Sequence, residues 1–187
     1  PSGPLHGVFE QLSVGPIGAE HLAAWIEDRL RSRSVVPEPG TGATIVSWAG
    51  RRTEDALRLA REVYEAGASG GRVHVADVVQ AARTIVLDRR ATYERTWLDL
   101  AESQRNVLRA LASDAVHLTS RDTIRSFGLP TPAGVHKALD RLRVKHLLAG
   151  AEDAIADPFF REWILMDAMP DGVSRSDLDL SAPPAGG

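Results

Sequence analysis

The sequence predicts a mainly α-helical protein, in which a small helical bundle is followed by a winged helix-turn-helix domain with a short β wing. Three observations predict this class. Apolar residues recur at helical spacing as far as about Arg90. Three further helical patterns follow between Gln104 and Leu142. A short strand-turn-strand run then occupies residues 147–157. We therefore expect residues 1–92 to form the bundle, residues 93–169 the winged-helix domain and residues 170–187 a disordered tail.

Four helical patterns make up the predicted bundle. Residues 18–32 place an apolar stripe on one face, which comprises Leu22, Ala23, Trp25, Ile26 and Leu30. A loop rich in Pro and Gly, residues 36–42, precedes a short helical turn at 43–48. Thr53 is expected to cap a helix over 54–66, whose shared face comprises Ala56, Leu57, Ala60, Val63 and Tyr64. A fourth helix is expected to end near Arg90, and its inward-facing residues are Val78, Ala81, Ala82, Ile85 and Val86.

The second unit begins with helices over 104–112 and 119–127. Thr131 should cap the third helix and Pro132 should open it, while Gly128 supplies the preceding turn. The inward positions are Val107, Leu108, Leu111, Ile124, Val135, Leu139 and Leu142. The wing is expected to be the only β-structure of consequence. The aromatic residues expected to pack the linker and last helix onto this unit are Trp97, Phe159, Phe160 and Trp163.

Composition excludes several classes of protein. The chain has 187 residues, a formal net charge of −3 and no Cys, so disulfides, thiolate catalysis and zinc fingers are excluded. A protein that coats nucleic acid would carry a basic surplus. No apolar run is long enough to span a membrane, so we expect no membrane partner and a cytoplasmic location. The chain opens at Pro1 without an initiator Met, and we expect it to be a fragment of a longer polypeptide.

Basic side chains on and around the third helix are the candidate nucleic-acid-binding residues. They are Arg121, Arg125, His136, Lys137, Arg141, Arg143 and Lys145. Asp140 lies among these cations, the helix offers no Asn or Gln, and residues 98–163 hold equal numbers of acidic and basic side chains. Two interpretations therefore stay open: direct contact with double-stranded DNA, and contact with another protein.

Motifs for catalysis are missing from the sequence. There is no GxxxxGK[ST] run to surround a phosphate. The six histidines do not approach metal-ligand spacing with carboxylates. We expect no catalytic residue, no bound metal and no enzyme activity in this chain.

The order of several short runs resembles the C-terminal part of AAA+-type ATPases, specifically archaeal-type and origin-recognition ATPases. The likeness spans about Val8 to Leu165, and its runs are residues 8–12, 49–53, 104–108, 128–142 and 157–163. It implies that the bundle is a lid covering the nucleotide and that the ATPase core precedes it as a missing partner. ATP or ADP with magnesium would then bind the full-length protein, and no cofactor would bind this fragment.

Arg51 and Arg52 are the candidate cofactor-binding residues. In lids of this class an arginine at the start of a helix after a Gly-x-x turn senses the terminal phosphate, although here the third residue after Gly50 is Thr53. Two cations at a helix N-terminus also oppose the helix dipole, which suggests a nearby anion. Solvated surface arginines are the alternative. The alternative for the whole chain is a stand-alone winged-helix transcriptional regulator with a helical effector or dimerisation bundle.

Overall fold

The computed structural model describes residues 17–50, 52–115, 117–150 and 153–169, and it has the predicted class of fold. The N-terminal bundle consists of α1 (Ala19–Ser32), α2 (Thr41–Ala49), α3 (Thr53–Gly67) and α4 (Val75–Asp88). Its core includes Ile26, Ile45, Leu59, Val63 and Ile85, all of them almost fully buried. The resemblance run at 8–12, Arg51 and the predicted disordered tail, 170–187, lie outside the described residues.

Two connecting loops of the bundle pair with each other as short parallel strands. Strand β1 (Val36–Pro37) pairs with β2 (Arg72–Val73), with Val36 opposite Arg72. The Glu38 amide also donates to the Val73 carbonyl oxygen at 2.8 Å. The prediction that 36–42 is a loop and that the wing is the only β-structure was therefore incomplete, because the backbone of two connecting loops runs side by side here. Strands of two residues are too short to show the apolar-polar alternation from which a strand could be predicted.

Helices α1 and α2 meet through a glycine. A side chain at Gly42 would overlap the backbone carbonyl of Ala23 on α1. The Gly42 amide instead donates to the Glu27 carboxylate at 3.1 Å. Only a residue without a Cβ permits this approach of the two helices.

Three details of the bundle differ from the sequence prediction. Trp25 and Leu57, both assigned to buried faces, are 53% and 41% exposed. Thr53 is the first residue of α3 rather than its cap, and Arg52 occupies the cap position. The buried stripe of α3 is instead Ala56, Leu59 and Val63, at helical spacing, which turns Leu57 toward the edge of the helix interface.

Residues 90–96, where we place the junction between the two units, are helical. They belong to α5 (Arg90–Leu98), which follows α4 after a single residue. Tyr93 and Trp97 are the buried side chains of α5.

The second unit contains the predicted helices and wing. Its helices are α6 (Glu102–Ala112), α7 (Arg121–Phe127) and α8 (Pro132–Val144). Strands β3 (Leu148–Ala149) and β4 (Ala154–Ile155) form the antiparallel wing, with Leu148 opposite Ile155. Helix α9 (Pro158–Trp163) follows and continues as a π-helical segment, Ile164–Ala168.

Aromatic side chains join α5 to α9. Phe160 and Trp163 stack with ring centroids 5.7 Å apart, and Trp97 meets Trp163 edge-on at 5.7 Å. Tyr93 lies 5.2 Å from Phe160. Such pairs contribute about 0.5–1.5 kcal/mol each beyond the area they bury. The predicted packing role of Trp97, Phe159, Phe160 and Trp163 is confirmed, since all four are buried.

Asp157 connects this aromatic cluster to the bundle. Its Oδ1 accepts the backbone amides of Phe159 and Phe160, at 2.9 and 3.2 Å, and so caps α9. Its Oδ2 accepts the Tyr93 hydroxyl at 3.0 Å and the Arg89 guanidinium at 3.3 Å. Burial raises the pKa of Tyr93, so the phenol keeps the proton that it donates.

We expect Asp157→Ala to lower the free energy of unfolding by about 2–3 kcal/mol, since it removes a helix cap and two hydrogen bonds to a carboxylate. Asp157→Asn is the matched control: it keeps the cap acceptor and should cost about 1 kcal/mol. Urea denaturation followed by circular dichroism measures both. Equal stability of the alanine variant and the unmodified chain would contradict this role.

Glu162 on α9 is a carboxyl that the fold buries without a matching partner. It is 3% exposed, and its Oε1 has no hydrogen-bond partner among the described residues. Burial raises the pKa of Glu162, although the positive charges of Arg161 and Arg83 oppose the shift. The folded state therefore holds this proton more tightly than the unfolded chain does.

Because of that raised pKa, wild-type stability should fall as the pH rises through the range in which buried Glu162 ionises. We expect Glu162→Gln to raise the free energy of unfolding at pH 7. The gain should shrink as the pH falls to about 4, where the carboxyl is protonated in the folded chain and becoming so in the unfolded one. Denaturation of both proteins across this pH range checks the sign. A gain independent of pH would contradict it.

Candidate nucleic-acid interface

Local capping positions the two helices of the candidate interface. The Ser120 hydroxyl accepts the Thr123 amide at 3.2 Å and caps α7. The Thr131 hydroxyl accepts the Gly134 amide at 3.4 Å and caps α8, as predicted. Gly128, at φ +59°, supplies the left-handed turn between them, and the Asn106 side chain on α6 donates to its carbonyl oxygen at 3.0 Å. The turn is therefore tied to the helix behind it.

Helix α8 has one buried face and one exposed face. The buried face comprises Val135, Ala138, Leu139 and Leu142, which pack in the core with Val107 and Leu108 of α6. The opposite face carries His136, Lys137, Asp140 and Arg141, all exposed. Lys137 and Arg141 are one turn apart, so their side chains point the same way.

Helix α7 adds Arg121 and Arg125, which are also exposed. Within the described parts of the chain, no carboxylate forms an ion pair with Arg121, Arg125, Lys137 or Arg141. These four side chains, which we call the cationic face, keep their charge available to a partner. His136 lies beside them on α8.

Arg143 and Lys145 lie at the C-terminal end of α8, and both contact the protein itself. Arg143 donates to Asp153 of the wing at 2.6 and 2.7 Å and to Asp140 at 2.6 Å. Hydrogen bonding to Asp153 raises the pKa of Arg143. The Lys145 ammonium lies 3.5 Å from the Asp99 carbonyl oxygen. Arg143 thus connects the wing to α8. It also forms an ion pair with Asp140, which lies on the same exposed face as Lys137 and Arg141.

Arg52, the second candidate cofactor-binding residue, is paired within the bundle. Its guanidinium lies 3.0 Å from the carboxylate of Asp55, which is buried. Asp55 also faces Arg89 at 3.7 Å. Desolvation raises the pKa of Asp55, while the Arg52 charge lowers it. The structure does not describe Arg51.

A groove between α1 and α3 is the feature that the sequence analysis missed. It encloses about 370 Å³ and includes Trp25 and Leu57, which we had assigned to the core. The available signal was the spacing of Trp25, Arg29 and Arg33, which recur every fourth residue on one side of the stripe formed by Leu22, Ile26 and Leu30.

The described residues provide neither a metal site nor a membrane-spanning helix. They contain no group of three or more His, Asp or Glu side chains placed to hold a metal ion. None of the helices formed by these residues has the length and apolar character needed to cross a membrane.

Comparison with curated proteins and with solved structures finds no match to this chain. Residues 91–166 match a family model described as a probable winged helix domain. The match begins at the second residue of α5 and takes in the three helices, the wing and α9. The second unit of this mainly helical chain is therefore a winged-helix domain.

Proposed function

We propose that this chain binds double-stranded DNA through the cationic face of α7 and α8 and that it catalyses no reaction itself. The observation that carries the proposal is the pair Lys137 and Arg141, one turn apart on the exposed face of α8 and unpaired by any carboxylate of the described residues. In helix-turn-helix proteins this helix enters the major groove, and the preceding helix crosses the backbone. Arg121 and Arg125 on α7 would then contact phosphates.

The side chains of this face determine how DNA would be recognised. Lys and Arg pair with the O6 and N7 acceptors of guanine, and Asn or Gln would be needed to pair with adenine in the same way. The exposed face of α8 offers Lys137, Arg141 and His136 but neither amide. Binding should therefore depend mainly on phosphates, with a preference for guanine where α8 meets the bases.

The role of the bundle is a second part of the proposal. The resemblance to AAA+-type ATPases supports a lid, which would cover a nucleotide held by a separate core. Two observations favour the alternative, a ligand-binding bundle in a winged-helix regulator. Arg52 is paired with Asp55, which reduces the charge that it could offer to a phosphate. An apolar groove lies between α1 and α3, where an effector could bind.

We expect the chain to bind a fluorescein-labelled GC-rich duplex with an affinity that falls steeply with salt. With two phosphate contacts from α7 and at most two more from α8, the slope of log K against log salt should lie between roughly −2 and −4. Lys137→Glu/Arg141→Glu should abolish detectable binding at moderate salt, because two attractive charges become repulsive. Fluorescence anisotropy at several salt concentrations measures the slope.

The matched control is Arg58→Glu/Arg72→Glu. These side chains are exposed on the bundle, away from the cationic face, and the change in net charge is the same. The control should keep at least half of the affinity. No binding of the unmodified chain at low salt, or an equal loss in both double variants, would contradict DNA binding through α8 and favour protein contact.

The purified chain should release no phosphate from ATP above background in the presence of magnesium, since its sequence lacks a phosphate-binding loop. A malachite-green phosphate assay measures this. Hydrolysis that survives purification and disappears on changing one residue of this chain would contradict the proposal.

A further inference from the structure

The groove between α1 and α3 combines an apolar floor with an uneven distribution of charge. Trp25, Ile26, Leu57 and Tyr64 provide apolar and aromatic surface, and Trp25 and Leu57 leave about half of theirs uncovered. Large apolar side chains exposed together and edged by polar groups are typical of binding sites.

The arginines at α1 differ in their ion pairing, according to whether they line the groove. Arg31, which does not line the groove, is neutralised by Glu27 at 2.8 Å and by Asp28 at 2.9 Å. Arg29 and Arg33 line the groove one turn apart, and no carboxylate of the described residues forms an ion pair with either. The groove therefore keeps two guanidinium groups whose charge the described fold does not compensate.

The opposite wall, formed by α3, adds no uncompensated charge. Arg61 donates to the Glu65 carboxylate at 2.8 Å, so these two lining residues neutralise each other. An entering molecule would meet positive charge on the α1 side and apolar surface below it.

We propose that this groove binds a small organic anion, specifically a carboxylate with a compact aromatic or cyclic body. Guanidinium groups bind carboxylates through paired, charge-assisted hydrogen bonds, and Arg29 and Arg33 would supply these. Trp25, Leu57 and Tyr64 would cover the apolar body. A volume of about 370 Å³ lies near the lower limit for small-molecule pockets, which fits a body of one or two rings rather than a long lipid chain.

This assignment deepens the ligand-binding role proposed for the bundle and does not depend on DNA binding by α8. The two can fail separately, because the groove residues lie on α1 and α3 and the cationic face lies on α7 and α8.

The test is titration of the full chain with 2-naphthoate, followed in two-dimensional ¹⁵N–¹H NMR spectra. We expect saturable shifts of α1 and α3 resonances, including the indole N–H of Trp25. The neutral analogue 2-naphthalenemethanol has the same ring system and should bind about tenfold more weakly, because it lacks the charge-assisted hydrogen bonds.

Arg29→Gln/Arg33→Gln should weaken naphthoate binding by about tenfold and leave binding of the neutral analogue unchanged. Arg72→Gln/Arg95→Gln removes two exposed arginines outside the groove and is the matched control, with unchanged affinity expected. Leu57→Ser, at a position that is 41% exposed, should weaken both compounds.

Three results would overturn the assignment. They are no saturable shift up to the solubility limit of naphthoate, equal affinities for naphthoate and its neutral analogue, and shifts centred on α7 and α8. Loss of DNA binding in the α8 double variant, with naphthoate binding intact, would separate this site from the proposed DNA interface.

Discussion

The arrangement of the two units depends on the hydrogen bonds that the Asp157 carboxylate accepts. One of its oxygens caps α9, and the other accepts hydrogen bonds from Arg89, the residue between α4 and α5, and from Tyr93 of α5. Arg89 reaches in turn toward Asp55 on α3. A single acidic group thus starts the last helix and fixes that helix to the bundle, and the stacked rings of Phe160 and Trp163 pack beside it.

Internal ion pairs explain how a chain with a net negative charge presents a local positive surface. Three acids pair within the fold: Asp55 and Asp157 face Arg89, and Asp153 pairs with Arg143. Arg121, Arg125, Lys137 and Arg141 on α7 and α8 have no such partners among the described residues. Charge balance over the whole chain is therefore a poor guide to the potential at one helix.

The sequence was informative wherever one residue type has one local effect. Thr131 and Ser120 cap helices through their own hydroxyls, and Gly128 allows the left-handed turn, so the helix-turn-helix could be predicted. Pairing over long sequence separation could not. Arg143 was predicted to contact DNA, because its ion pair with Asp153 of the wing could not be seen in the sequence. Trp25 was predicted to be buried, because helical periodicity locates an apolar stripe but not its edges.

The glycine between α1 and α2 has a consequence for a surface that it does not touch. Gly42 lets the backbone of α2 lie directly against Ala23, so the depth at which α1 sits in the bundle is set by main-chain atoms rather than by a deformable side chain. Helix α1 forms one wall of the groove and α3 forms the other. The close contact between α1 and α2 therefore limits how far the first wall can move relative to the second. Substitutions at the mouth of the groove should then alter its charge and polarity without altering its width.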